Sequence, residues 1–324
     1  MPKNPLTLPC IFLSAGCALS LACSISLTAE RFRNASFPEN APAATCEAAF
    51  TDEAALPVEE ALAEPWEIIP AEREVVYIYD NGTDSVEYPL IEGVPLSDWD
   101  MERLVSDSES KRRALFGEDG EKRTRFGIDV SSHQGLIDWE RAAADGVEFA
   151  FIRIGYRGYE TGRIVEDARF RRNIELAQAA GIEVGVYFFS QAISPEEGAE
   201  EADFVLSVLS ECGAAPQLPI VFDWEHPSDE DPARTDDVSG EVQTAACRAF
   251  CDRIAEAGYS PCYYATIDMA LFRYDLEKLK DIPLWLAEYT AETYFPYEYA
   301  IWQYTSSGEI DGIEGLTDFN IMTF

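Results

Sequence analysis

Two carboxylates one residue apart, Asp223 and Glu225, are the residues of this chain whose spacing is best suited to chemistry. They follow the apolar run 218–222, which predicts a short buried β-strand. Side chains at i and i+2 of a strand share a face, so both acids should lie on one surface, with Trp224 on the other. Like charges this close raise the pKa of one carboxyl, as a general acid requires near neutral pH. Paired carboxyls are typical of glycoside hydrolysis, although a strand that merely runs into the acidic residues 229–231 is an equal alternative.

The overall charge restricts the kinds of molecule that the protein is expected to bind. The formal net charge is -36, which disfavours nucleic acid because binding it depends on cationic side chains that neutralise phosphates. Such a surface also offers no electrostatic attraction to anionic membranes or polymers. A hydrophobic content of 47% and an aromatic content of 12% are sufficient for a sizeable core. We therefore expect an acidic, folded protein that binds no nucleic acid.

The first 65 residues resemble an export and tethering region. Lys3 precedes the uncharged, apolar stretch 8–29, so residues 1–29 are predicted to be a secretory signal peptide or a retained membrane anchor. Residues 30–65 are rich in Ala, Pro and Glu without periodicity, which predicts a disordered acidic spacer. We therefore predict an extracellular or cell-envelope protein that contacts membrane only through its N-terminal segment.

Residues 66–124 are predicted to form a small β-rich region and a linker. Segments 74–79 and 86–90 have the composition of a β-hairpin around the turn at 80–83, and residues 107–125 resemble a charged linker. Of the eight cysteines, four lie after residue 200, and the sequence leaves their pairing open. With only two histidines and no CxxC pair, a structural zinc site is not expected.

From residue 125 onward, strand-like and helical patterns alternate. This alternation favours an α/β fold, and about eight strands in two hundred residues favour a single, irregular, TIM-like (β/α) barrel over 125–324. Apolar residues at helical spacing in 167–180 and 196–211 predict two of the connecting helices. The predicted strands are 126–131, 147–155, 183–190, 218–225, 260–266, 283–289, 299–305 and 318–324.

In a barrel of this kind, chemistry collects at the carboxyl ends of the strands. Asp129 falls near the end of the first predicted strand, and Asp318, which begins the last strand, is expected to join it at the same mouth. Acids surrounded by aromatic rings suit a saccharide, which presents apolar C–H faces and hydroxyl edges. Alternatives remain: Asp129 as a turn cap, Asp318 as an ion-pair partner of Arg153, and the rings as barrel core. The candidate substrate-binding residues are Tyr187, Gln191, Trp285, Tyr289, Trp302, Arg153 and Asn320.

The C-terminal domain resembles the glycoside hydrolase family 25 lysozymes, the Chalaropsis-type muramidases. The resemblance covers about 125–324 and does not extend to residues 1–124. It rests on several ordered motifs, of which Asp223-Trp224-Glu225 matches the catalytic acid pair. The other matching segments are Phe126-Gly127-Ile128-Asp129, Gly185-Val186-Tyr187, Trp285-Leu286-Ala287, Trp302-Gln303-Tyr304 and Asp318-Phe319-Asn320.

The resemblance implies a role for each acid. Glu225 takes the role of general acid and base, and Asp223 that of orienting the substrate's N-acetyl group or stabilising the cation at the anomeric carbon. Asp129 and Asp318 resemble the two further acids that bind substrate and tune the pair. The implied reaction is hydrolysis of β-1,4 bonds between N-acetylmuramic acid and N-acetylglucosamine in peptidoglycan, by a bacterial monomer without metal or organic cofactor.

Two other functions and three mechanisms remain open at this point. A chitinase-like glycosidase would also have an Asp-x-Glu strand end, and a catalytically weak carbohydrate-binding barrel would keep the rings. Strand rise places the two carboxyls roughly 6–7 Å apart, which does not decide between retaining and inverting hydrolysis. We favour a route in which the 2-acetamido group of the substrate attacks its own anomeric carbon.

Overall fold

A computed structural model describes residues 75–80, 84–226 and 233–323 of the chain. The predicted signal or anchor at 1–29 and the predicted spacer at 30–65 lie outside the described residues. Within the described part, no helix combines the length and the apolar character needed to cross a membrane.

Two short antiparallel hairpins precede the main sheet. Strand β1 (Val75–Asp80) pairs with β2 (Asp84–Pro89), as the sequence predicted. Strand β3 (Leu104–Ser106) pairs with β4 (Arg113–Leu115), and the 3-10 helix Met101–Arg103 precedes them. Within 107–125, which was predicted to be a charged linker, the structure contains β4 and the buried Leu115.

The centre of the fold is a closed β-barrel of eight strands. The sheet order is β5-β13-β12-β11-β10-β9-β8-β6-β7, and a parallel β5–β6 pairing closes eight of these nine strands into a ring. All eight strands predicted after residue 125 are present, while the short β7 was not predicted. The bounds are β5 (Thr124–Val130), β6 (Phe149–Arg157), β7 (Ile164–Glu166), β8 (Glu183–Ser190), β9 (Ile220–Trp224), β10 (Pro261–Thr266), β11 (Leu284–Ala287), β12 (Ile301–Gly308) and β13 (Thr317–Thr323).

Six α-helices are described, and they cover only part of the barrel. Most of them begin after a residue whose side chain caps the helix. The longest begins after Ser194, whose hydroxyl accepts a hydrogen bond from the Glu197 amide, and it ends at Gly213, which has a φ of 65°. Their apolar faces pack on the outward side of the strands to form the larger core. The bounds are α1 (Trp139–Ala144), α2 (Phe170–Ala179), α3 (Pro195–Cys212), α4 (Gly240–Glu256), α5 (Ile267–Phe272) and α6 (Leu276–Leu279).

The predicted TIM-like (β/α) barrel is therefore wrong. The closing strand β13 runs antiparallel to both of its neighbours, β12 and β5. An antiparallel pair needs no crossover helix, so residues 309–316 connect β12 to β13 without one. Residues 288–300 connect the parallel strands β11 and β12 as an irregular loop. The described architecture is an eight-stranded barrel with few helices rather than a barrel surrounded by them.

The floor of the barrel is filled by phenylalanine rings that lie over glycines. A Cβ added to Gly127 would lie 2.4 Å from the Phe149 ring, and one added to Gly185 would lie 2.3 Å from the Phe151 ring. Both rings are fully buried, together with Val221 and other apolar residues of the inner cluster. This packed floor closes one end of the barrel, so the polar inward-facing residues lie toward the other end.

Candidate active site

Strand β9 brings the acid pair to the barrel mouth. The Trp224 side chain points outward, is fully buried, and donates from Nε1 to the Ala192 carbonyl oxygen at 3.0 Å. Its neighbours in sequence, Asp223 and Glu225, point the other way and hydrogen-bond to each other through their side chains. The alternation expected from strand geometry thus places both carboxyls in one cleft. Only 4% of the Asp223 surface is exposed.

The environment of the pair raises the pKa of both carboxyls. Burial raises the pKa of Glu225 to about 7, the negative charge of Asp129 raises it as well, and the hydrogen bond with Asp223 opposes the rise. Burial also raises the pKa of Asp223 well above its usual range, with the charges of Glu225 and Asp129 acting in the same direction. A carboxyl with a pKa near 7 can both donate and accept a proton at neutral pH.

The other two acids come from the first and last strands of the barrel. Asp129 of β5 and Asp318 of β13 lie directly opposite each other in the antiparallel register. Burial raises the pKa of Asp129 to about 6, against the effect of two amide donors. Burial and then the charges of Asp129 and Glu225 raise the pKa of Asp318 to about 8. Near pH 7, Asp129 is therefore mostly ionised, while Asp318 mostly holds its proton.

A chain of amide and hydroxyl groups fixes Asp129. Its Oδ2 accepts hydrogen bonds from Nε2 of Gln303 and from Nδ2 of Asn320, both at 2.8 Å. The Asn320 Oδ1 accepts from Trp285 Nε1 at 2.8 Å. The Gln303 Oε1 accepts from the hydroxyls of Tyr264 and Tyr289, at 3.0 Å and 2.7 Å. Each amide is thereby locked in one orientation, because its oxygen and nitrogen have different partners.

Sequence reasoning missed Gln303 and Tyr264. Gln303 lies between two aromatic residues on β12, and the pairing of Gln303 with Ala287 on β11 places both on the inward face. Tyr264 lies opposite Asp223 in the register of β10 and β9. Every second residue of a strand faces the barrel interior, and the same face continues across the paired residues of neighbouring strands. Following this inward face from Asp223 would have found both residues.

Tyr187 and Arg153 lie beside the acids. The Tyr187 ring meets the Trp285 ring edge-on, with centroids 6.2 Å apart. Arg153 donates from Nε to Oδ2 of Asp167 at 2.9 Å, and its charge opposes the rise in the pKa of Asp223. The ion-pair partner of Arg153 is therefore Asp167 and not Asp318. Trp285 is itself only 2% exposed, so its ring forms the wall beneath the acids rather than a free stacking surface.

Two of the predicted substrate-binding residues lie behind the cleft. Gln191 is fully buried, donates to the Glu225 carbonyl oxygen at 2.7 Å, and accepts from the Thr235 hydroxyl at 2.9 Å. Trp302 is also fully buried, and its Nε1 donates to the Glu288 carbonyl oxygen at 2.9 Å. The structure thus places both as supports of the backbone. Tyr289, in contrast, is 45% exposed at the mouth while its hydroxyl reaches Gln303.

Neither a disulfide nor a metal-binding cluster is found among the described residues. In the described ranges, Cys212, Cys247, Cys251 and Cys262 are free thiols, and all but the first are buried. The same ranges contain no cluster of three or more His, Cys, Asp and Glu side chains suited to hold a metal ion. The carboxyl cluster itself can supply proton transfer and electrostatic stabilisation.

The sequence model described as "Glycosyl hydrolases family 25" matches residues 128–313, which hold three of the four acids and the barrel strands from β5 to β12. The chain belongs to glycosyl hydrolase family 25. The match begins within β5 and leaves both N-terminal hairpins outside it. Paired carboxyls are the working groups of most glycoside hydrolases.

Individual relatives support the family assignment. The chain is 27% identical over 197 residues to the autolytic lysozyme of Clostridium acetobutylicum, covering 60% of this chain and 54% of that protein. It is 28% identical over 210 residues to Lysozyme M1 of Streptomyces globisporus, covering 60% and 66%. The chain thus spans between half and two thirds of these curated relatives.

One solved structure supports the fold independently. The modular autolysin LytC from Streptococcus pneumoniae, solved in complex with a synthetic peptidoglycan ligand, superposes with a TM-score of 0.54. The match covers 76% of this chain and 56% of that one, at 23% identity. At this identity the likeness establishes the barrel fold alone.

Proposed function

We propose that this family 25 chain is a lysozyme, an N-acetylmuramidase that hydrolyses the β-1,4 bond between N-acetylmuramic acid and N-acetylglucosamine in peptidoglycan. The observation that carries the proposal is the meeting of Asp129, Asp223, Glu225 and Asp318 in one buried cleft, with the pKa of Glu225 at about 7. Two of the relatives are named as lysozymes, and LytC was solved with a peptidoglycan ligand.

The first step is protonation of the leaving oxygen by Glu225. Its pKa of about 7 lets it hold a proton at neutral pH and release it as the glycosidic bond breaks. The positive charge that develops at the anomeric carbon is stabilised by Asp129, whose pKa of about 6 leaves it mostly ionised at neutral pH. Glu225 then accepts a proton from the water that completes hydrolysis.

Asp223 is assigned to the substrate's acetamido group. Burial raises the pKa of Asp223 well above its usual range, which favours a carboxyl that orients the acetamido group over one that attacks carbon. Its Oδ1 is buried and, within the described residues, has no hydrogen-bond partner, which suits an acceptor for the acetamido N–H. We therefore favour the route in which the acetamido oxygen is the nucleophile, which makes no use of a protein nucleophile.

The organisation of the whole chain follows from this substrate. Peptidoglycan lies outside the bacterial cytoplasm, so the apolar segment 8–29 is proposed as an export signal or an anchor, and 30–65 as the spacer that carries the barrel to the wall. The negative charge of the chain keeps it from adhering to anionic envelope polymers. We propose a monomeric, cofactor-independent enzyme of the bacterial cell envelope.

The test is a digest of purified peptidoglycan with the wild type and with Glu225→Gln. The variant keeps the shape of the side chain but cannot donate the proton, so turnover should fall by about 10²–10⁴. Glu256→Gln is the matched control, because Glu256 is 71% exposed at the end of α4. Near-wild-type activity of Glu225→Gln would disprove the assignment of the acid.

The same digest identifies the bond that is cleaved. New reducing ends of N-acetylmuramic acid are expected for a muramidase. Reducing ends of N-acetylglucosamine would instead indicate a different acetamido-sugar glycosidase. Release of neither product, with retained sedimentation of the protein on the wall, would mean a carbohydrate-binding barrel.

A further inference from the structure

The segment before the barrel packs against one loop at the cleft. We call residues 95–115 the strap; they include β3 and β4 and lie outside the region 128–313 that matches the family. The loop is 288–300, which joins β11 to β12 and begins beside Tyr289. Strap and loop contact each other at two separate places.

At the first contact, the strap and the loop pair as a short antiparallel ladder. Leu96 forms a bridge with Tyr297, the Ser97 amide donates to the Pro296 carbonyl at 3.0 Å, and the Glu298 amide donates to the Pro95 carbonyl at 2.9 Å. The ring of Trp99 packs against that of Tyr299 with centroids 4.6 Å apart. This ladder holds the far end of the loop, away from the acids.

The second contact is made by one arginine of β4 at the near end of the loop. The Arg113 guanidinium donates to the Thr290 carbonyl oxygen at 2.7 Å. It also lies over the rings of Trp302 and Tyr304, 4.9 Å and 4.6 Å from their centroids. A guanidinium stacked on two rings is held in one plane, which directs its N–H groups.

These bonds clamp the backbone on both sides of Tyr289. Trp302, beneath Arg113, donates from Nε1 to the carbonyl oxygen of Glu288, and Arg113 donates to that of Thr290. Between the two fixed carbonyls, the Tyr289 hydroxyl donates to Gln303 at 2.7 Å, and Gln303 donates to Asp129 at 2.8 Å. Arg113 is thus connected to the carboxyl cluster through Tyr289 and Gln303.

We infer that Arg113 is a positioning residue of the active site: it fixes the 288–294 turn so that the Tyr289 hydroxyl holds Gln303, and through it Asp129, in the orientation used in catalysis. The strap would then be a working part of the cleft that the family-matched region does not supply. The inference rests on the proposed muramidase function for its kinetic part, while its structural part stands without it.

The experiment compares Arg113→Met with wild type in the full-length protein. Methionine retains the length and packing of the side chain but loses the donor and the charge. The first measurement is hydrogen–deuterium exchange: the amides of 288–298 should exchange faster in the variant, while those of α3 and α4 do not change. The control is Arg103→Met, because Arg103 lies in the same strap but pairs with Asp100 on the exposed surface.

The second measurement is kcat/KM on purified peptidoglycan. Arg113→Met should lower it about tenfold, since misplacement of supporting groups by an ångström is costly. In a Tyr289→Phe background the same substitution should change it by less than about twofold, because the hydroxyl that transmits the effect is gone. A purely structural role would instead give equal losses in both backgrounds, in proportion to lost thermal stability, and would overturn the inference.

The two readouts separate the two proposals. If wild type releases no product from peptidoglycan, the muramidase function fails, and the exchange of 288–298 still decides whether Arg113 holds the turn. Unchanged exchange there in Arg113→Met would refute the inference whatever the activity.

Discussion

Replacement of Asp129 by Asn should move the pH dependence of the enzyme in a defined direction. In the free cleft, the negative charge of Asp129 is the second cause, after burial, that raises the pKa of Glu225 to about 7. Asn has almost the same shape and keeps polar contact with Gln303 and Asn320, but it removes the charge. Loss of the general acid's proton then occurs at lower pH, so the alkaline limb of kcat/KM shifts toward acid.

The size of the effect follows from the electrostatics. An ordinary glutamate has a pKa of 4.5, and burial is the larger contribution to the rise at Glu225, so we assign about one pH unit, or about 1.4 kcal/mol, to Asp129. At pH 7 the protonated fraction of Glu225 would fall from about one half to about one tenth, a loss of about fivefold. Loss of the charge that faces the cationic transition state lowers the plateau as well.

The assay measures kcat/KM on solubilised peptidoglycan between pH 4 and 9. The position of the alkaline limb is obtained by fitting this pH profile. Asp203→Asn serves as the control, because Asp203 of α3 loses the same charge at an exposed ion pair with Arg253 of α4. The alkaline limb of this control should coincide with that of wild type. An Asp129→Asn limb at the wild-type position, or displaced toward alkali, would refute the electrostatic account of the cluster even if the plateau fell.

Two further substitutions test how the cleft is held in place and how its buried acid affects stability. Gln191→Leu removes the donor to the Glu225 carbonyl and the acceptor of the Thr235 hydroxyl. We expect kcat to fall with little change in KM, and the free energy of unfolding in urea to fall by about 1–3 kcal/mol. An unchanged kcat at full stability would contradict the supporting role of Gln191. The pKa of Asp318 is about 8 in the folded protein against an ordinary value of 3.8. Between these two pH values the folded state binds more protons than the unfolded state, so the contribution of Asp318 to stability falls as pH rises. Asp318→Asn should reduce the loss of unfolding free energy between pH 5 and 8 by about 1–3 kcal/mol, measured by urea titration. An equally steep loss in the variant would argue against a protonated Asp318.

Strand periodicity made the acids and the strands predictable. Asp223 and Glu225 follow a run too apolar to be anything but buried, and an acid that continues the inward face of such a strand lies in the barrel mouth. Asp129 obeys the same rule near the end of β5, whereas Asp318, near the start of β13, lies opposite it only because β13 runs antiparallel. The three acids at strand ends need only local sequence, because a strand end fixes both the place and the direction of the side chain.

What the sequence did not predict depends on long-range contacts. Trp302 and Gln303 are adjacent, and both residue types occur in sugar clefts, so only pairing with β11 shows that Gln303 faces inward. Gln191 lies one residue beyond the end of β8, where the period of two no longer applies. The partial helical cover follows from the antiparallel direction of β13, which no local pattern encodes.

The pairing of β5 with β13 determines when, during synthesis of the chain, the acid cluster can form. Asp129 depends on the amide of Asn320, a residue 191 positions later, and the opposite carboxyl Asp318 comes from the same late strand. Until β13 has left the ribosome and entered the sheet, the barrel remains open and the acids lack their neighbours. Contacts so distant in sequence form late, because the loop they close must first be ordered. A barrel built this way cannot assemble its acid cluster in a fragment that lacks β13 or in a half-folded chain, so completion of the fold itself creates the site proposed for hydrolysis.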